Sequence, residues 1–93
     1  MNKQHDLKTW PEFFEAIIKG TKTFEIRKND RGYQVGDTLR LREYDIRAFP
    51  PEYTGRETLR VVRYIVYDFE GLASGYCIMS IDVPQTESWE TSL

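Results

Sequence analysis

Two chain reversals, at Gly20 and at Asn29-Asp30-Arg31-Gly32, bracket a short alternating segment, and this limits the fold more than any other part of the sequence. Gly20 stops a helix because glycine tolerates the left-handed conformation that follows a last helical turn. Thr23, Phe24, Glu25, Ile26 and Arg27 then alternate in polarity, and side chains along a strand switch sides with period two. The expectation is a strand with Phe24 and Ile26 toward the core and Thr23, Glu25 and Arg27 on an opposite, ionic face. Asn and Asp favour a turn through local side-chain hydrogen bonds, and Gly32 through positive φ. A charged row is thus held between two turns.

Upstream, Lys3 to Lys8 is a short strand with Leu7 as its one strong apolar residue. Thr9-Trp10-Pro11-Glu12 marks a helix start, with Thr9 at the N-cap, Glu12 closing a capping box, and Pro11 where a missing N–H costs nothing. Trp10, Phe13, Phe14, Ile17 and Ile18 follow at helical spacing, so the helix spans about residues 10–19 and the aromatic pair is read as packing.

Downstream, Thr38 to Tyr44 forms a second half-buried strand in which Leu39 and Leu41 alternate with Arg40 and Arg42. Beside the first strand, it would extend the ionic row through Arg40, Arg42 and Tyr44. Asp45 to Gly55 reads as a loop around Pro50-Pro51, and Glu57 to Asp68 as the longest strand. Its alternation breaks at Val61-Val62, where a bulge or coverage on both faces is expected. Phe69 to Gly75 is a glycine-containing connection, either a plain link or a lid, and Tyr76 to Val83 is the last strand, with Cys77, Met79, Ile81 and Val83 as its apolar file.

One helix with four or five strands gives an α+β, mainly β fold: a small mixed sheet curled into a partial barrel, with the helix closing one end. The 93 residues allow one domain, placed at residues 1–83, with a polar, acidic tail at 84–93 that carries Trp89 as a possible protein contact. A single cysteine, Cys77, excludes an internal disulfide and a Cys-rich zinc site and fits a reducing cytoplasm. No apolar run approaches the ~20 residues of a bilayer crossing, and no metal or cofactor is expected.

Net charge is −2, but it is unevenly distributed. Residues 19–42 hold seven Lys or Arg against three acids, a local +4, whereas the remainder holds six against twelve. A basic face on an acidic body steers anions to one place. Lys22 suits a phosphate or a reacting carbonyl, and the planar fork of Arg27 suits a phosphate or base edge. Glu25 can fix both cations or accept a base N–H. His5 and Lys8 reach the same cleft if the first strand lies beside the bridge; Asn29, Arg31 and Tyr33 sit at the turn rim, where Tyr33 can stack on a base. The alternative is a solvated row of ion pairs, worth ~0–1 kcal/mol each.

Gly20-x-Lys22-x-x-Glu25-x-Arg27, after a short helix and before Val35-Gly36-Asp37, resembles the signature of ASCH domains of the PUA-like superfamily. With His5-x-Leu7-Lys8, Trp10-Pro11-Glu12-x-Phe14, Thr23 through Arg31, and Tyr53-Thr54-Gly55-Arg56, the chain looks closest to a small uncharacterised ASCH-like family of bacterial and phage proteins, over roughly residues 3–83. The resemblance implies a PUA-like β-barrel that binds RNA or a modified nucleotide. Some ASCH relatives are acetylcytidine amidohydrolases, in which the lysine matching Lys22 works with a threonine nucleophile and a distant glutamate. Here Glu25 occupies the threonine position and the glutamate-bearing helix has no counterpart, so catalysis by Lys22 and Glu25 stays an alternative to binding. A third reading is a phage-type inhibitor that engages a host protein through the tail.

Overall fold

Strand alternation decides which side chains turn inward, and in a computed structural model that describes residues 2–85 the core is built from such alternating files. Strand β1 (Gln4–Thr9) buries His5, Leu7 and Thr9. Helix α1 (Pro11–Ile18) buries Phe14 and Ile17. Strand β2 (Phe24–Lys28) follows, then β3 (Thr38–Asp45), which buries Leu39, Leu41 and Glu43. Strand β4 (Glu52–Tyr67) is the longest, and β5 (Tyr76–Asp82) buries Cys77, Met79 and Ile81. Leu7, Ile17, Tyr33, Val62 and the inward apolar residues of β3 and β5 form one cluster. Each fully buried aliphatic side chain there contributes about 1.5–3 kcal/mol.

The five strands make one mixed sheet in the order β1-β3-β4-β5-β2, with β1 parallel to β3 and every other pair antiparallel. Register shifts between Arg42 and Tyr44 and between Val62 and Tyr64 bend the sheet, as bulges do, and the second lies where the sequence loses its alternation. The result is a curled half-barrel with one short helix, the expected mainly β α+β fold. Its two edge strands, β1 and β2, come to face each other. The backbone ladder stops there, and side chains cross the gap: Arg27 Nη2 donates to the Lys8 carbonyl at 2.9 Å, and Arg31 Nη1 to the Asp6 carbonyl at 2.7 Å.

Several sequence expectations are corrected. Thr9 lies in β1, and Trp10 takes the N-cap position without a side-chain capping bond. The longest strand begins at Glu52, so the loop ends at Pro51 and not at Gly55, which sits inside the strand at φ 96°. Strand β3 lies between β1 and β4 rather than beside β2, so Arg40 and Arg42 do not extend the row of Glu25 and Arg27. The Phe69–Gly75 connection lines neither cavity described below; its Gly75 carbonyl accepts from the Asn29 N–H at 2.7 Å.

The largest correction concerns β2 itself. Glu25 is buried, whereas Phe24 and Ile26 are about half exposed, the reverse of the expected faces. Pairing explains it: Glu25 lies opposite Met79 and Arg27 opposite Cys77, and residues directly opposite in an antiparallel pair share a face. The Cys77-Met79-Ile81 file must face inward, and a one-residue slip would expose all of it. Glu25 and Arg27 therefore point inward. Tail residues 86–93, including Trp89, lie outside the described residues. Among the described residues no helix is long and apolar enough to cross a membrane.

Candidate functional site

A carboxylate turned into a sheet interior must be paired, because burying an isolated charge is costly. Glu25, 2% exposed, has two cationic partners from its own segment. Lys22 Nζ approaches Oε2 at 2.6 Å, and Arg27 approaches Oε1 with Nε at 2.9 Å and Nη2 at 2.8 Å. The spacing makes this possible. Arg27 is two residues on and so on the same face, while Lys22 lies just before the strand, where the chain is free to fold its ammonium back. Lys22 Nζ also donates to the Phe24 carbonyl at 2.7 Å, which covers an acceptor on the backbone of β2.

This triad forms one side of a cavity of about 520 Å³ at the seam between the sheet edges. That is within the roughly 300–1,000 Å³ typical of small-molecule sites. Trp10 and Phe13 from α1 and its cap, with Phe24 and Ile26 from β2, give it apolar walls; Lys8 and Thr9 come from β1. Lys22 Nζ lies 4.9 Å from the Phe24 ring centroid and 5.6 Å from that of Phe13, so the aromatic rings face a cation. From Trp10 an aromatic row continues through Tyr44, at 6.3 Å, to Tyr53, at 5.0 Å from Tyr44. Lys8 Nζ lies 4.4 Å from the Tyr44 ring centroid.

Hydrogen-bonding capacity is left over. The Thr9 hydroxyl is buried without a partner among the described residues. The Lys22 ammonium has three N–H groups and two acceptors, and Arg27 Nη1 has no acceptor among the described residues. The cavity is lined by three cationic residues, Lys8, Lys22 and Arg27, and one carboxylate. The arrangement suits a planar ligand that offers acceptors or negative charge.

The remaining predicted residues are placed elsewhere. His5 is in the core, with Nε2 2.8 Å from Asp37 Oδ2 and its ring edge-on to Tyr33 at 4.8 Å. Asp37 also accepts from the backbone N–H groups of Lys3 and Gln34, at 3.0 Å each. Burial alone would raise the Asp37 pKa, but these N–H groups and His5 together hold it below the ordinary value. His5 thus pairs within the core, and the expected convergence on Glu25 includes Lys22 and Arg27 without it, while Lys8 lines the same cavity. Tyr33 is 1% exposed and unable to stack at a rim; burial raises its pKa, and its carbonyl accepts from the Tyr67 hydroxyl. Arg42 lies 3.9 Å from the Tyr53 ring centroid, outside the cavity.

Arg31 lies farther along the seam, and Asn29 lines neither cavity. Arg31 lines a second cavity of about 170 Å³ with Leu7, Arg27, Lys28, Asp30 and Tyr33, while the Asn29 Oδ1 atom is buried without a partner among the described residues. Sequence reasoning missed the aromatic walls, although a signal existed. Phe13 and Phe14 are adjacent, and an amphipathic helix turns only one of two neighbours fully toward the core. Phe14 joins Ile17 there, and Phe13 joins Trp10 at the cavity.

A family model described as a domain of unknown function, DUF3850, matches residues 4–81. The chain is also 43% identical over 44 residues to an uncharacterised 12.9 kDa protein in the GpA 3′ region of Escherichia phage P2; the match covers 47% of this chain and 40% of the phage protein.

Proposed function

We propose that this chain, which belongs to the DUF3850 family, binds RNA or a modified nucleotide in the seam cavity. The observation that carries the reading is the pairing of aromatic walls with a cationic side: Trp10, Phe13 and Phe24 border the same space as Lys22, Arg27 and Lys8. Bases stack on aromatic side chains whatever their sequence, and Lys and Arg engage phosphates. Glu25 positions the two cations and neutralises part of their charge, so the site holds an anion without a large excess field. The ASCH and PUA-like likeness carried by Gly20, Lys22, Glu25 and Arg27 belongs to this reading and points to the same ligand class.

Amidohydrolysis of acetylated cytidine is a second reading, favoured by the 2.6 Å contact of Lys22 with Glu25. Lys22 would polarise the amide carbonyl and Glu25 would activate water. Both Glu25 oxygens already accept from cations, so one contact must open first.

Titration with a short single-stranded RNA, the matching DNA and free nucleosides at two salt concentrations tests the proposal. Binding at low salt that weakens as salt rises, and weakens again in Lys22→Ala and Arg27→Ala, is expected. Absence of binding by all three ligand types at low salt overturns it. Release of acetate from acetylcytidine, lost in Lys22→Ala, would favour the hydrolase reading.

A further inference from the structure

The two cavities at the seam are both lined by Arg27, and their chemistry differs. The larger is walled by Trp10, Phe13, Phe24 and Ile26. The smaller has no aromatic ring besides the buried Tyr33, and most of its remaining lining is charged: Arg27, Lys28 and Arg31 against Asp30. Taken together, the seam presents five cations, Lys8, Lys22, Arg27, Lys28 and Arg31, against the carboxylates of Glu25 and Asp30. This surplus of three sits on a chain whose net charge is −2.

From this juxtaposition we infer that the seam is a two-compartment site for a single-stranded oligonucleotide, with one base in the aromatic cavity and a neighbouring backbone phosphate in the smaller, cationic one. The inference rests on the nucleotide-binding reading above and adds to it the length of the ligand. A free nucleoside satisfies only the first compartment. Arg27 spans the two: its Nε and Nη2 atoms are held by Glu25 and the Lys8 carbonyl, while Nη1 has no acceptor among the described residues. Arg31 is held by one Nη1 bond to the Asp6 carbonyl and keeps further N–H groups for a phosphate. Lys28 has no ion-pair or hydrogen-bonding partner for its ammonium among the described residues. Asp30 is the opposing charge; it disfavours a second phosphate in that cavity and leaves room for one flanked by Lys28 and Arg31.

The geometry also excludes a duplex from the larger cavity, since a base can enter between side chains only when it is unstacked from its neighbours. Single strands and loops meet that condition without further cost. In a paired helix it must be met by breaking the pair.

The experiment compares a nucleoside, its 5′-monophosphate, and a tetranucleotide of the same base, titrated into the full chain at fixed low salt. The tetranucleotide should bind roughly tenfold or more tightly than the nucleoside, as one charge-assisted phosphate contact allows. Lys28→Ala and Arg31→Ala should each remove most of that gain, lower the salt slope of tetranucleotide binding by about 0.7 per lost phosphate contact, and leave nucleoside affinity within about twofold. Lys28→Ala guards against misfolding, because Arg31→Ala also removes the bond to the Asp6 carbonyl. Equal affinity for nucleoside and tetranucleotide, or loss of both in the Lys28 variant, overturns the two-compartment site and leaves the nucleotide-binding reading intact. No binding by any of the three overturns the nucleotide-binding reading itself.

Discussion

Arg27, on β2, donates to the backbone carbonyl of Lys8, on β1, at 2.9 Å, across a gap in the half-barrel where no strand ladder runs among the described residues. The same guanidinium holds Glu25. One side chain therefore joins the sheet edges and positions the charge of the cavity, so stability and the proposed ligand binding are linked at this residue. An exposed edge invites pairing with other chains. Here the carbonyls of Asp6, Lys8 and Phe24 are each covered by a cationic side chain.

Replacing Glu25 with glutamine should lower stability by about 1–3 kcal/mol, because the amide nitrogen it introduces cannot accept from Lys22 or Arg27 and one of those cations loses its partner. A urea titration would show a lower midpoint with an unchanged slope. An unchanged midpoint would mean that the carboxylate is not what holds the two cations.

Thr9→Val should have the opposite sign in the free protein. Its buried hydroxyl has no partner among the described residues, and an unsatisfied buried polar group costs about 1–3 kcal/mol. Valine fills a similar volume and favours strands. A higher melting temperature is expected without ligand; a lower one would show that the hydroxyl is satisfied in solution.

Trp10→Ala and Phe24→Ala should each weaken oligonucleotide binding by about 1–3 kcal/mol, the usual value of one base–aromatic contact. Both side chains are partly exposed, so thermal stability should change far less than for a core variant such as Leu39→Ala, with an expected cost of about 2–5 kcal/mol. Equal loss of stability in all three would assign the aromatic walls to packing.

Asp37 sets an acid limit on the fold. Its folded pKa lies below the unfolded value of about 4, so its contribution is complete above that value and is lost as pH falls through the lower, folded pKa. Stability measured by denaturant at successive pH values below about 4 should fall less steeply in Asp37→Asn than in the parent chain. The variant should also be less stable near neutrality, because three donors, from Lys3, His5 and Gln34, converge on this carboxylate.

Much of the fold was legible in the sequence. Leu39 and Leu41, Cys77, Met79 and Ile81, and the interruption at Val61-Val62 gave strand faces and a bend through period two alone. The inverted face of β2 was not legible. Phe24 and Ile26 outrank Glu25 and Arg27 in any local measure of hydrophobicity, and only the register with β5 turns the charges inward. Site prediction divided on the same line. Lys22, Glu25 and Arg27 meet as their charges suggested and Lys8 joins through its backbone carbonyl, whereas His5 answers to Asp37, thirty-two positions away, a pairing that local sequence cannot reveal. Trp10 and Phe13 were assigned to packing because helical spacing does not say how wide the covered stripe is.

Every residue bordering the larger cavity comes from positions 8 through 27. One peptide-length stretch thus contains the whole lining of that cavity, and the long hairpins after it serve as a mount. The character of that cavity can therefore be altered by exchanging about twenty consecutive residues, provided the inward file of β5 keeps its partner strand in phase.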